Sequence, residues 1–309
     1  MQISIVIPTY NVEKHIEKVL TSILNQEREI TINHSTINFQ LEIITIDSSS
    51  TDSTLKILKQ FNSQYPKIVK IIKIPKKEFH HSKTRNLGAK LSRGQIIIFL
   101  NADAVPVGKS WLINLVKKII SSEVAATFSR QIPPKNIPLP EYVFLLHTYS
   151  PVSATIHRGN WQTFFSERHI LFSTVSCAVK REVFELVGGF DEELDICEDQ
   201  EFAFRLINNG FKIAYCAESR VIHGHNLEIP DLIRRYLKFG RAYAYIIRKY
   251  KVAREKFDIT YYFKSQKNIV LNSIKLLKLK KLPLTKNIPY IFVYNIFKSI
   301  SYLIGSKIL

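Results

Sequence analysis

Little in this sequence of 309 residues is suited to cross-linking or to spanning a bilayer. Its three cysteines, Cys177, Cys197 and Cys216, are an odd number without CxxC spacing. That argues against a disulfide framework and against a cysteine-based zinc site, and fits thiols kept in a reducing compartment. No run of 18 uncharged apolar residues occurs, so a conventional spanning helix is not expected. The chain opens MQISIVIPTYN, a strand pattern from the start. Without a basic leader or a long apolar stretch there, no secretion signal is expected. No GxGxxG follows that first strand and no GxxxxGKS or GxxxxGKT occurs anywhere, which leaves a dinucleotide fold and a P-loop unsupported. Internal repeats and low-complexity tracts are absent.

Acidic residues are scarce in one place only. The whole chain carries 44 Lys and Arg against 26 Asp and Glu, a net of +18. Residues 231–309 hold 18 basic and 3 acidic side chains, a net of +15, so residues 1–230 carry only +3. The molecule reads as a near-neutral body, 1–230, with a basic appendage, 231–309. A charge of +18 with tyrosines among the basic residues raises nucleic-acid binding as a function class. Confinement of the charge to the tail and the lack of any nucleic-acid motif weigh against it, and no nucleic-acid partner is expected. With 46% apolar and 23% charged residues, a wholly disordered chain is excluded.

The first hundred residues alternate between two periodicities. Residues 3–7 form an apolar run stopped by Pro8, as in a buried parallel strand. A helical pattern over 12–26 puts Ile16, Val19, Leu20 and Ile23 on one face. A polar insert, 27–40, leads to a strand at 41–46 and a loop, 47–52, rich in helix-capping residues. A helix through Leu55, Leu58 and Phe61 follows, then a strand at 68–74. Ser82 is placed to cap a helix over 84–92, Gly94 to end it, and 95–100 is a fourth strand. Such alternation implies a parallel sheet with helices on both faces, whose ligands bind at the carboxyl ends of the strands. Polar residues gather there: Thr9 to Asn11, Asp47 to Asp52, and Asn101 to Asp103. An aspartate at a strand end suits a divalent cation holding a diphosphate, although Asp103 taken alone is as readily a turn residue.

The segments SIVIPTYN (4–11), IDSSSTDST (46–54), HHSKTRNLGAKLSRGQIIIFLNADAVP (80–106), FSRQIPP (128–134), VGGFDEEL (187–194), EDQEFAFRL (198–206) and VIHGHN (221–226) are each weak alone. In this order the chain resembles a family 2 glycosyltransferase of the GT-A fold, and among these the rhamnosyltransferase-like members. The resemblance spans roughly residues 3–230. It implies an α/β, Rossmann-like nucleotide-diphospho-sugar transferase fold, with a mostly parallel sheet and flanking helices. Pro8, Thr9, Tyr10 and Asn11 would line the base pocket. Asp47 would hold base or ribose, with Asp52 shaping that loop. Lys83, Arg85 and Asn86 match the segment that contacts base and diphosphate. Asn101-Ala102-Asp103 stands where the family has its metal-binding DxD motif, so the first carboxylate is an amide here. Ser49 stands where the family often has glycine.

Within EDQE, Asp199 matches the catalytic base, with Glu198 beside it in the donor-binding set. The reaction needs one carboxylate to take the acceptor hydroxyl's proton as that oxygen attacks the anomeric carbon. The nucleoside diphosphate leaves from the opposite face, so one displacement inverts the configuration. A helix over 198–208, closed by Gly210, puts Asp199 in its first turn, where the dipole lowers a carboxylate's pKa; a base near neutral pH then needs opposing desolvation. His223 and His225 follow a strand at 217–222. Spaced i, i+2 on a strand they would face one way, either toward metal or diphosphate, or as structural residues. His80 and His81 read as pocket lining or surface, Trp111 and Trp161 as packing. Residues 130–173 read as a long connection, with Arg130 and Gln131 as candidate donor or acceptor contacts.

The tail reads as helical. In 290–304, Phe292, Val293, Ile296, Phe297, Ile300, Leu303 and Ile304 share one side, with Asn295, Lys298, Ser299 and Ser301 on the other. This suits an interfacial helix on an anionic membrane, with Lys275, Lys278, Lys280, Lys281 and Lys286 near headgroups, or else packing on the catalytic body. The expected protein is an inverting glycosyltransferase using Mg2+ or Mn2+. Its donor is a dTDP- or UDP-sugar, rhamnose above others, and its acceptor a lipid-linked or polysaccharide hydroxyl. The expected location is cytoplasmic, peripheral on the inner face of the cell membrane. The competing class is a catalytically impaired nucleotide-sugar-binding relative, raised by Asn101 and Ser49.

Overall fold

The computed structural model describes residues 1–32, 34–168 and 170–251, and beyond them Lys267, Val270, Leu271, Ile274, Lys275, Ile291, Phe292, Asn295, Ile296, Ser299, Ile300 and Ile304. In chain order the first half runs β1 (Gln2–Thr9), α1 (Ile16–Leu24), β2 (Glu29–Ile32), β3 (Ser35–Asn38), β4 (Gln40–Asp47), α2 (Thr54–Gln64), β5 (Val69–Lys73), α3 (His81–Leu91), β6 (Ile96–Leu100), β7 (Val105–Pro106), α4 (Trp111–Ser121) and β8 (Val124–Ile132). The second half runs α5 (Leu139–Thr148), β9 (Ala154–Ile156), α6 (Trp161–Arg168), β10 (Ser176–Lys180), α7 (Arg181–Leu186), α8 (Glu198–Asn208), β11 (Lys212–Ile222) and α9 (Ile229–Tyr250).

Two compact units result. The first comprises 1–131, 150–161 and 171–223; the second comprises 132–149, 162–170 and 224–309. The first unit is built on a sheet in the order β5-β4-β1-β6-β10-β8-β11-β7, with β9 paired to β11. The β5-β4-β1-β6 ladders are parallel, whereas β10 pairs antiparallel with β6 and β8, and β11 antiparallel with β7 and β9. Strands β1 and β6 have both faces covered, and Ile3, Ile5, Val6, Ile7, Ile97, Ile98 and Phe99 are fully buried; that is why they read as continuous apolar runs instead of alternating. Helix α1 turns Ile16, Val19, Leu20 and Ile23 onto the sheet, the face expected from their spacing. Gly88 lets α3 lie close on β1, since a Cβ there would meet Val6 Cγ1 at 2.2 Å.

Some elements differ from expectation. The polar insert 27–40, given no structure from the sequence, holds β2 and β3, paired antiparallel. Ser82 lies inside the first turn of α3, and its hydroxyl donates to Leu194 O at 2.5 Å instead of capping the helix. Gly94 does not end α3, which stops at Leu91; it sits against Ser4, whose backbone N would lie 2.5 Å from a Cβ. The region 130–173 contains α5, β9 and α6. In α5 apolar residues surround the axis, with Val143 and Leu145 buried and Leu146 exposed, so no helical stripe marks it.

In the second unit, α9 buries Leu232, Gly240, Ala242, Ala244 and Ile246 and presents Arg and Lys elsewhere. Farther on, Ile291, Asn295 and Ser299 are buried, whereas Phe292, Ile296, Ile300 and Ile304 are 45–51% exposed. Val293, Phe297, Lys298, Ser301, Leu303 and the lysines at 278, 280, 281 and 286 lie outside the described residues. Among the described residues no helix is long and apolar enough to cross a membrane.

Candidate active site

The carboxyl ends of β1 and β4 are in register, Thr9 opposite Asp47, and β6 flanks β1 on its other side. The three polar loops of the sequence therefore leave one edge of the sheet. Asp47 is fully buried and accepts hydrogen bonds from Ser50, at 2.6 Å from the hydroxyl and 3.1 Å from the backbone N–H. Thr9 is also buried, its hydroxyl 3.4 Å from Asp47 Oδ1. Asn11, at φ 48°, receives Thr51 N–H on its Oδ1 at 2.8 Å. Asp52 accepts from Thr54 N at 2.9 Å and Glu13 N at 3.2 Å, tying the loop to the start of α2. Pro8 and Tyr10 are half-buried, and Lys76 Nζ lies 4.7 Å over the Tyr10 ring, a cation–π contact. Ser49 has φ 59°, with its hydroxyl donating to Ile74 O at 2.9 Å. This left-handed backbone is one that glycine adopts without strain and serine does not.

Pairing of β11 with β7 sets Ile222 opposite Val105 and so carries His223 to the Asn101-Ala102-Asp103 turn. His223 Nε2 lies 3.6 Å from Asp103 Oδ1, too long for a hydrogen bond and a separation that suits two donors of one cation. Asp103 is half-buried, Ala102 and His223 are buried. Gln131 donates from Nε2 to Ser173 Oγ at 3.0 Å, which turns its Oε1 toward His223 Nδ1 at 2.8 Å. Nδ1 therefore carries the proton and Nε2 presents its lone pair toward Asp103, the arrangement expected of a metal-ligating imidazole. Carboxylate and imidazole donors together fit a divalent cation such as Mn2+. The strand β11 begins five residues earlier than expected and stops at Ile222, the residue before His223; His225 is half-buried, just past the end of the first unit.

Helix α8 spans the bounds read from the sequence, and Gly210 at φ 84° follows it. Cys197 enters it at φ 63°. Asp199 in its first turn accepts from Gln200 N at 2.8 Å, Gln200 Nε2 at 3.2 Å and Thr174 N at 3.4 Å. It keeps partial contact with solvent, yet most of its surroundings are protein, and that burial pushes its pKa above the ordinary carboxylate value against the pull of these hydrogen bonds and of Arg85. Burial likewise pushes Glu198 up to about 7, opposed by Arg85. Arg85 Nη1 meets Glu198 Oε1 at 3.0 Å, Arg85 Nη2 donates to Asn101 Oδ1 at 2.9 Å, and Thr174 Oγ1 donates to Glu198 Oε1 at 3.1 Å.

The other candidates take varied places. Lys83 is exposed on α3. Asn86 bonds both Phe190 N and Phe190 O at 2.9 Å and Glu192 at 3.0 Å, clamping the Gly188–Gly189 turn. His80 precedes α3, and His81 lies edge-on to Phe79. Trp111 and Trp161 are buried, the first donating to Ser176 Oγ at 3.1 Å and the second edge-on to Phe204, so both are packing residues. Arg130 is half-buried on β8. The sequence assigns no role to Ser173, Thr174 or Gln200; the first two show only as a pair of small hydroxyl residues before β10, and Gln200 as a member of the EDQE segment.

The family model of glycosyl transferase family 2 matches residues 4–184. The chain belongs to this family. It is 32% identical over 242 residues to the O-antigen chain rhamnosyltransferase RfbN of Salmonella typhimurium, covering 78% of this chain and 72% of that protein. To the O-antigen chain rhamnosyltransferase WbaN of Salmonella anatum it is 31% identical over 211 residues, 64% of this chain and 61% of that one. Its fold is similar to the mannosyltransferase PcManGT from Pyrobaculum calidifontis in complex with GDP-Man and Mn2+, with a TM-score of 0.63, 17% identity, and coverage of 99% of this chain and 86% of that chain. The protein is a glycosyltransferase with the GT-A fold.

Proposed function

We propose that this family 2 glycosyltransferase transfers rhamnose, or a related hexose, from a dTDP- or UDP-sugar to a hydroxyl of a lipid-linked or polysaccharide acceptor, inverting the anomeric configuration. The observation that carries the reading is the pairing of a desolvated carboxylate, Asp199, with a separate Asp103–His223 donor pair in one unit. The loops at Pro8–Asn11 and Asp47–Asp52 are assigned to the nucleoside, with Tyr10 as a flat face for the base and Lys83 as an exposed cation. Asp103 and His223 hold the divalent cation, Mn2+ or Mg2+, and His225, two residues further along the chain, is assigned as a third donor. When bound, that cation offsets the charge of the leaving diphosphate.

Asp199 receives the acceptor proton at a carboxylate oxygen, and its raised pKa makes it a stronger base than an exposed aspartate. Thr174 and Gln200 hold its orientation through the hydrogen bonds above. Both acidic residues that the chemistry needs are present, which favours turnover over binding alone. The rhamnosyl and O-antigen activities of the curated relatives support the choice of sugar and acceptor class. The direct test is incubation with dTDP-rhamnose and a panel of acceptor glycans, with the product linkage read by NMR. An inverted linkage supports the reading. Nucleotide binding without transfer to any acceptor would favour the impaired relative.

The tail is assigned to the anionic inner face of the cell membrane. Phe292, Ile296, Ile300 and Ile304 recur every fourth residue and are exposed, while the polar Asn295 and Ser299 are buried. That is the reverse of a water-facing helix and suits insertion at a lipid interface beside many lysines. A lipid-linked acceptor would be met at the same surface.

A further inference from the structure

We propose that Arg85, together with Glu198, is the positioning pair of this active site: it locks the turn carrying Asp103 to the helix start carrying Asp199, and Asn101 serves as the acceptor of Arg85 instead of as a metal ligand. The inference rests on the function proposed above and deepens it.

Four contacts close a ring inside the first unit, and a fifth ties Asp199 to it. Arg85 on α3 donates from Nη2 to Asn101 Oδ1 at 2.9 Å and from Nη1 to Glu198 at 3.0 Å. Asn101 N–H donates to Val175 O at 3.0 Å. Its neighbour Thr174 donates from Oγ1 to the same Glu198 oxygen at 3.1 Å and from N–H to Asp199 at 3.4 Å. The guanidinium and the Glu198 carboxylate are 4% and 7% exposed. A pair that deep is not placed to bind a ligand from solvent; it transmits position from one loop to the other. The planar fork of arginine spans both acceptors at once, which the point charge of lysine does not.

The ring also accounts for the amide at position 101. Glu198 already balances the single positive charge of Arg85. A carboxylate at 101 would add a second negative charge to the same buried guanidinium, with Asp199 close by, and part of it would go uncompensated. Asparagine supplies the acceptor oxygen without the charge. The departure from an acidic pair at 101 and 103 is thus matched by Arg85, and cation binding falls to Asp103 and its histidine.

The test compares Arg85→Lys, the charge-free pair Arg85→Met with Glu198→Gln, and Asn101→Asp with the parent enzyme. Each is measured for kcat and donor KM, for Mn2+-dependent nucleoside diphosphate affinity by calorimetry, and for melting temperature. Arg85→Lys is expected to lower kcat about 10–100-fold, as displacement of a positioning group does, with nucleoside diphosphate affinity retained. The double variant strands no buried charge, so it folds and shows the same kcat loss. Asn101→Asp gains no Mn2+ affinity. Loss of nucleotide affinity in Arg85→Lys in step with kcat/KM would make Arg85 a diphosphate ligand and overturn the proposal. So would full kcat with only a lower melting temperature, or tighter Mn2+ binding in Asn101→Asp. If the parent enzyme transfers no sugar, the functional reading fails separately, and the calorimetric arms still decide the roles of Arg85 and Asn101.

Discussion

Replacing Asp199 by asparagine removes the proposed proton acceptor while disturbing little else. The carboxylate accepts two hydrogen bonds from Gln200 and one from Thr174 N–H. Asparagine keeps one acceptor oxygen for Gln200 and loses the longest contact, to Thr174. The stability cost is that of one hydrogen bond, about 1 kcal/mol. The catalytic cost is far larger: loss of a positioned base lowers kcat about 10²–10⁴-fold, or about 3–5 kcal/mol of transition-state stabilisation. The pH profile supplies a second, independent readout. A base acts when ionised, and burial raises the Asp199 pKa above that of an ordinary aspartate, so the rate falls as pH drops through a midpoint above the ordinary aspartate range. Because Glu198 next to it is pushed up to about 7, that limb belongs to the interacting pair and not to either residue alone. The assay is steady-state transfer across pH 4–9 (roughly the span of these pKa values) with calorimetric nucleotide affinity as control. Turnover unchanged in Asp199→Asn, or an acid limb at the ordinary aspartate value, would refute the assignment.

Asp103→Asn weakens Mn2+-dependent nucleoside diphosphate binding by at least about tenfold and leaves metal-free binding unchanged; superimposable metal titrations would remove Asp103 from the site. Ile296→Asp with Ile300→Asp lowers partition onto anionic liposomes more than about tenfold, since each apolar side chain contributes about 1.5–3 kcal/mol when buried, and leaves melting unchanged because both are exposed; undiminished liposome binding would move the membrane contact elsewhere. Gly88→Ala destabilises by about 1–3 kcal/mol through overpacking, because its Cβ would lie 2.2 Å from the fully buried Val6, and an unaltered denaturation midpoint would contradict it. Ser49→Gly shifts stability by less than about 1 kcal/mol, as relief of the left-handed backbone offsets the lost hydroxyl bond and the added chain freedom. Ser49→Ala keeps the strain, loses the bond to Ile74 O, and is the less stable of the two in urea titration.

The parts of the fold legible in the sequence were those with a period or a boundary signal. The amphipathic face of α1, the apolar β1 and β6, and α8 with its closing glycine all have one. The candidate site is legible as motifs at strand ends, and Ser49 stands out in the sequence at a point where the backbone is left-handed. What composition did not reveal was direction. Arg85 and Lys83 sit two residues apart on one helix, yet the first is buried and the second exposed. The difference arises because Glu198 and Asn101 come from distant parts of the chain to receive Arg85. The desolvation that Asp199 needs is likewise a product of tertiary packing. Helix α5 carries no signal because its apolar residues encircle it, and the β2–β3 hairpin little, because its strands are four residues each, too short for the alternation of Ile30 and Ile32 to stand out. The strand expected before His223 and His225 ends at Ile222, as the sequence suggests, but begins earlier, at Lys212.

The account turns on a nucleotide-diphosphate site organised by Asp103 and His223. Its most direct test is a thermal-shift titration of UDP, dTDP, GDP and their sugars, with and without Mn2+ or Mg2+, on the parent protein and Asp103→Asn. A ligand that binds only the folded form raises its stability as the logarithm of concentration over Kd. The account predicts metal-dependent stabilisation by one nucleoside diphosphate, dTDP or UDP, that is lost in Asp103→Asn. Absence of any shift, or a shift indifferent to metal and to Asp103, would contradict it.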